Sequence, residues 1–166
     1  GDKIKEGNGA KLAKPLVGFP GHFAPNDLLF YQGDQLPARY KNGAFVVLHG
    51  STIRQPYPQG GYFVAFVPML KGVVTGPWEV FADGFIQTDP VVTANSAGYR
   101  PMGIAEGPDG SLYISETEKG KIWRVMFKGD KTKFDTTQLA KMAIRKKTAS
   151  NIKDPDPRKD NLELGK

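Results

Sequence analysis

No cysteine occurs in the 166 residues, and that absence removes disulfides, thiolate-bound zinc, iron–sulfur clusters and covalent haem attachment together. Histidine is scarce: His22 and His49 are the two imidazoles, too few and too far apart for a zinc hydrolase centre of ordinary ligand spacing. No apolar run approaches the ~20 residues of a membrane span. Residues 1–14 are too polar for a secretory leader, so any targeting segment is expected upstream. A phosphate loop needs clustered glycines between a strand and a helix, whereas Gly60-Gly61 lies between two strand-like runs. Ser51, His49 and any aspartate make a hydrolytic triad on paper only, because no nucleophile elbow surrounds the serine.

Charge is present but unevenly placed. The 23 basic and 17 acidic residues give +6, and from Lys128 onward eleven Lys and Arg face six acids, so the remainder is close to neutral. Nucleic-acid binders interleave basic residues with aromatics over one surface. Here the basic part is almost free of aromatics, which argues against such a partner.

What is abundant is β pattern. Arg100 to Glu116, followed by Gly120-Lys121-Ile122-Trp123-Arg124-Val125, reads as three consecutive antiparallel strands. Pro108-Asp109-Gly110 is the turn between the first two, since Gly accepts positive φ and Asp bonds its own backbone. Upstream, Leu28 to Tyr31 begins a β pattern, and Ala44 to His49 and Tyr62 to Val67 are apolar runs of the fully buried kind. Arg54 to Gly61, with two Pro and two Gly, is a loop. Trp78 to Phe81 with Phe85-Ile86 completes a first group of strands, and 89–99 connects it to the second. These groups resemble two blades of a β-propeller, which needs ~4 to 8 of them. The expected fold is therefore all-β, about two blades over 22–127, with an N-terminal arm over 1–21 and a basic tail over 128–166. Thr136 to Lys147 in that tail has helical spacing and ends in cations suited to a helix C-terminus.

In such an architecture inner strands end at one mouth of a central channel, which would gather His22, His49, Arg54 and Arg100. Two arginines there make an anion clamp. The competing assignment leaves Arg54 solvated in its Pro-rich loop, pairs Arg100 with a nearby acid and makes His49 an ordinary half-buried histidine. Tyr99, Tyr113 and Trp123 are read as packing residues.

The ordered series His22-Phe23-Ala24-Pro25, Leu29 to Gly33, Phe45 to Ser51 ending in Arg54, and Gly98 to Gly103 through Trp123-Arg124-Val125 resembles the C-terminal part of the glucose/sorbosone dehydrogenases. The likeness implies a portion of a six-bladed propeller from a periplasmic or secreted enzyme that oxidises a sugar, using pyrroloquinoline quinone (PQQ) assisted by calcium. It implies that Arg54, Arg100, His22 and His49 face the cofactor. It places the catalytic base and most calcium ligands in blades outside this chain, supplied by an N-terminal region or a separate polypeptide, with a cytochrome c as a candidate electron acceptor. Thr52-Ile53 stands where that family has Trp-Asn, and Glu116 where it has Asp. A non-catalytic propeller module that binds a protein partner is the alternative from another class. A propeller lactonase would require a ring of acidic and Asn calcium ligands that the sequence does not display.

Overall fold

The computed structural model describes residues 13–51, 53, 59–88, 91, 93–133 and positions 137, 138, 140, 141, 143 and 144. Nine strands form three sheets among them: a four-stranded meander, a two-stranded hairpin and a three-stranded meander. The first contains β1 (Pro25–Phe30), β2 (Ala44–Leu48), β3 (Phe63–Val67) and β6 (Glu79–Ala82) in the order β1-β2-β3-β6. Between β3 and β6 lies the hairpin of β4 (Met69–Leu70) and β5 (Val73–Val74). The last sheet is β7 (Pro101–Glu106), β8 (Leu112–Glu116) and β9 (Ile122–Val125). Every pairing is antiparallel.

The two apolar runs become β2 and β3 because both faces of the first sheet are covered at these two strands, which removes the usual alternation with polar residues. Phe45, Val47, Val64 and Phe66 point into a core shared with Leu112, Ile114 and Trp123 of the second sheet. Ala44, Val46, Leu48, Phe63, Ala65 and Val67 point the opposite way, where Val17, Phe19, Trp78 and the hairpin residues Met69 and Val74 lie over them. Tyr40 stacks on Phe45 and meets Phe66 and Phe81 edge-on, filling the middle of the shared core.

Tyr31 joins the layers. Its hydroxyl donates to the Gly110 carbonyl across 2.7 Å and accepts the N–H groups of Gln35 and Leu36, both at 3.1 Å. The edge strands β1 and β7 grip one another through carboxylates: Ile104 N–H donates to Asp27 at 2.8 Å, and Gln32 N–H donates to Glu106 at 2.9 Å. The Asp109 turn is fastened by Ser111 and by an ion pair with Arg124.

The architecture is all-β, as the strand pattern requires. A propeller is not what these elements establish: two stacked meanders with no closed barrel among the described residues make a sandwich-like pair. Two local expectations are corrected as well. Phe85-Ile86 is not a strand, because Gly84 turns the chain at φ 84° and Phe85 folds inward onto Trp123 at a centroid distance of 5.0 Å. The β4–β5 hairpin is additional, closed by Lys71 and Gly72, both at positive φ. The six described positions between 137 and 144 are helical, and the tail beyond them lies outside the described residues.

Candidate functional site

Antiparallel pairing brings five strand ends to one edge of the stack. Pro25 at the start of β1 pairs with Leu48 at the end of β2, which pairs with Phe63 at the start of β3. In the second sheet Pro101 at the start of β7 pairs with Glu116 at the end of β8. The residues just beyond these ends, 22–24, 49–51, 60–62, 99–100 and 117–121, therefore share one neighbourhood.

Backbone strain concentrates there. His22, Ala24 and Tyr62 occupy the left-handed region at φ 65°, 51° and 66°, a conformation costly for side chains with a Cβ and enriched at functional sites. Three segments interlock: His49 N–H donates to Ala24 O at 2.9 Å, Gly50 N–H to Phe23 O at 3.1 Å, and Ser51 N–H to Gly60 O at 2.9 Å. A Cβ on Gly61, itself at φ 95°, would lie 2.7 Å from both Gly50 Cα and Phe23 O.

Arg100 is the centre of the cluster. Its Nη2 donates to His49 Nδ1 at 2.9 Å and to the Gly50 carbonyl at 3.0 Å. Because Nδ1 accepts, the imidazole proton sits on Nε2, which reaches Thr117 Oγ1 at 3.0 Å. Burial, reinforced by the adjacent guanidinium, holds the His49 pKa below its ordinary value and keeps the ring neutral. The guanidinium carbon stands 5.9 Å from the Tyr62 ring centroid, and Tyr62 donates its hydroxyl to the Ser51 carbonyl. Burial raises the pKa of that phenol. On the other side of Arg100 the Glu118 carboxylate is a loose partner, with Oε1 3.6 Å from Nη1. The Arg100 Nε is buried and, among the described residues, has no hydrogen-bond partner.

Glu116 holds the loop that carries Glu118. Its buried carboxylate accepts N–H groups from Glu118 at 2.7 Å and from Lys119 and Lys121 at 2.8 Å each. Burial alone would push that carboxyl up, but the backbone donors together outweigh it and leave its pKa below the ordinary value. The Lys119 and Lys121 ammoniums each lie 4.6 Å from the Tyr99 ring centroid, and Tyr99 meets Trp123 edge-on at 5.1 Å.

Of the four residues singled out from the sequence, the structure joins His49 and Arg100 directly. His22 lies exposed on the neighbouring strained segment, and Arg54 lies outside the described residues. Sequence reasoning missed Thr117, Glu118 and Tyr62. The one available signal was the charged turn Glu116 to Lys121 immediately after a strand. Among the described residues no group of three or more His, Asp or Glu side chains is placed to hold a metal ion, and no helix is long and apolar enough to cross a membrane.

Residues 6–128 match the TrAA12-like family. An uncharacterized protein of Borreliella burgdorferi is 29% identical over 117 residues, covering 70% of this chain and 29% of that protein. Among solved structures, the calcium structure of a Trichoderma reesei carbohydrate-active enzyme of family AA12 superposes with a TM-score of 0.50 at 21% identity, over 65% of this chain and 25% of that one. The iodide structure of the same family gives a TM-score of 0.44 at 22% identity, over 65% and 26%. The chain thus spans under a third of the length of these relatives.

This match corrects the expected kinship with the glucose/sorbosone dehydrogenases. The motifs behind that expectation are largely the chemistry of strand ends: Gly50 is required at φ 91°, and the Asp109-Gly110 turn closes a hairpin. Such requirements recur wherever strands are joined this way. The departures at Thr52-Ile53 and Glu116 mark the difference.

Proposed function

The chain belongs to the TrAA12-like family, and from that starting point we propose that it forms the cofactor-facing part of an oxidoreductase that uses PQQ. The observation that carries the reading is Arg100. Its guanidinium is fixed by His49 and the Gly50 carbonyl, while a buried Nε has no partner among the described residues. A buried donor left unpaired is costly, and an acceptor from outside the chain would satisfy it. The donor set fits an anion, and PQQ carries three carboxylates.

In this reading Arg100 binds a carboxylate through a charge-assisted hydrogen bond. His49 is a positioning residue: a neutral ring accepts from the guanidinium, whereas an imidazolium would repel it. The imidazole uses Nδ1 toward Arg100 and Nε2 toward Thr117, so it is not the base that takes a substrate proton. That base belongs to the remainder of the assembly, as do the ligands of any calcium. His22 and Arg54 complete the proposed cofactor-binding set. When bound, the quinone supplies the two-electron acceptor. The substrate class of the proposal is carbohydrate, in keeping with the carbohydrate-active enzyme whose fold this chain shares.

An apolar groove of about 720 Å³ supports the need for further sheets. It runs over the face of the first sheet opposite the second, lined by residues that include Leu28, Phe30, Val46 and Met69. Leu28 and Phe30, on the β1 margin of that face beyond the residues that cover β2 and β3, are each about half exposed, the condition of an apolar margin whose cover lies elsewhere.

The test is a titration of the 166-residue chain with PQQ, followed by quenching of tryptophan fluorescence. Arg100→Ala is expected to weaken binding by about ten- to 150-fold, the scale of one hydrogen bond to a charged group. Equal binding by the wild type and Arg100→Ala, or none by either, would overturn the reading.

A further inference from the structure

We propose that Glu118 is a resident stand-in for an incoming ligand carboxylate, occupying the open side of Arg100 until a polycarboxylate displaces it, and thereby sets the anion affinity of the site. The inference rests on the reading of Arg100 as an anion-binding residue and adds a residue to which no role in binding has been given.

The two sides of the guanidinium differ. Nη2 has two bonds near ideal length, to His49 Nδ1 at 2.9 Å and Gly50 O at 3.0 Å. Nη1 has the Glu118 carboxylate at 3.6 Å, well beyond the ~2.7 to 2.9 Å of a charge-assisted hydrogen bond. A carboxylate at that range neutralises the guanidinium without being locked to it. The Glu118 side chain is 36% exposed, against 13% for Arg100. The acid can therefore swing into water while the arginine stays in place.

The loop is built so that the side chain alone needs to move. Glu116 pins the backbone N–H groups of Glu118, Lys119 and Lys121, which fixes where Glu118 begins. Thr117, anchored to His49 Nε2 at 3.0 Å, also contacts Glu118 Oε1 at 3.3 Å. Leaving Arg100 thus costs Glu118 one long contact and one weak hydrogen bond. Once it swings out, Nη1 is freed as a charged donor to one oxygen of an incoming carboxylate, while Nη2 stays committed to His49 and Gly50. Lys119 and Lys121, stationed over Tyr99 on the same loop, keep the neighbourhood positive and draw anions in preference to neutral ligands.

The experiment titrates wild type, Glu118→Gln, Glu118→Ala and Arg100→Ala with PQQ and with citrate, a redox-inert tricarboxylate, reading tryptophan fluorescence and calorimetric heat. Removing the competing charge is expected to tighten both ligands by about five- to tenfold in each Glu118 variant, the Coulomb scale of one partly exposed charge near the site. Raising the salt concentration should narrow that gap. If Arg100→Ala weakens binding and neither Glu118 variant strengthens it, the stand-in role is wrong and the anion site survives. If Arg100→Ala binds like the wild type, or no variant binds, the underlying reading falls and takes this inference with it. Weaker binding in both Glu118 variants would mean that the acid supports the site, which also overturns the proposal.

Discussion

The Arg100 guanidinium donates to Nδ1 of His49 across 2.9 Å, joining residues 51 positions apart that flank strands of different sheets. The bond needs a neutral imidazole, so protonation turns an acceptor into a neighbouring cation. His49 has its folded-state pKa lowered by burial and then by Arg100. In the window below the ordinary value of 6.5 the unfolded chain binds a proton that the folded chain refuses, and stability rises with pH there. The expected outcome is a urea midpoint that declines as pH drops from about 6.5, with the decline much reduced in His49→Gln. Identical pH profiles for the two proteins would contradict this.

Tyr31→Phe removes one hydroxyl that serves three backbone partners from both layers. A buried carbonyl and two N–H groups lose their bond at once, so the expected cost is about 1 to 3 kcal/mol. Chemical denaturation with an unchanged m-value would record it as a clean shift of midpoint.

Gly61→Ala should damage the strained edge. Ala at φ 95° is strained whatever the space, and its Cβ would meet Gly50 Cα and Phe23 O at 2.7 Å. A loss of about 2 to 4 kcal/mol is expected, together with weaker anion binding, because Gly50 supplies one of the two fixed acceptors of Arg100. Gly72→Ala is the comparison: it has positive φ but open space around the Cβ, and it should leave anion binding as it was.

Asp109 titrates at about 2, held down by the Ser111 hydroxyl and N–H and then by Arg124. A carboxylate with a depressed folded-state pKa adds stability that is complete above 3.8 and is lost as pH falls toward 2. Asp109→Asn should remove that portion of the acid dependence. Chemical-shift titration of the Asp109 carboxyl provides the direct check, and a midpoint near 3.8 would refute it.

The fold was legible where local chemistry and tertiary cover agree. Ala44 to Leu48 and Phe63 to Val67 are apolar without interruption because both sides of their sheet are covered, and the Asp109-Gly110 turn carries its own conformational signal. Phe85 misled because an aromatic beside an isoleucine looks like strand, while Gly84 and the pocket beside Trp123 decide otherwise. The β4–β5 hairpin was invisible because two-residue strands have no period to read. In the site, His49 and Arg100 stood out as polar residues at strand ends. Glu118 did not, since an acid in a charged turn is indistinguishable from a solvated one until the second sheet is docked beside the first.

The reciprocal clasp of Asp27 on Ile104 and Glu106 on Gln32 has a consequence for recombining this protein with its relatives. Each carboxylate is rooted in one layer and satisfied by the main chain of the other, so a chimera spliced between β6 and β7 must rebuild both contacts in the incoming half. Grafts that keep 25–127 as a single cassette retain them by default.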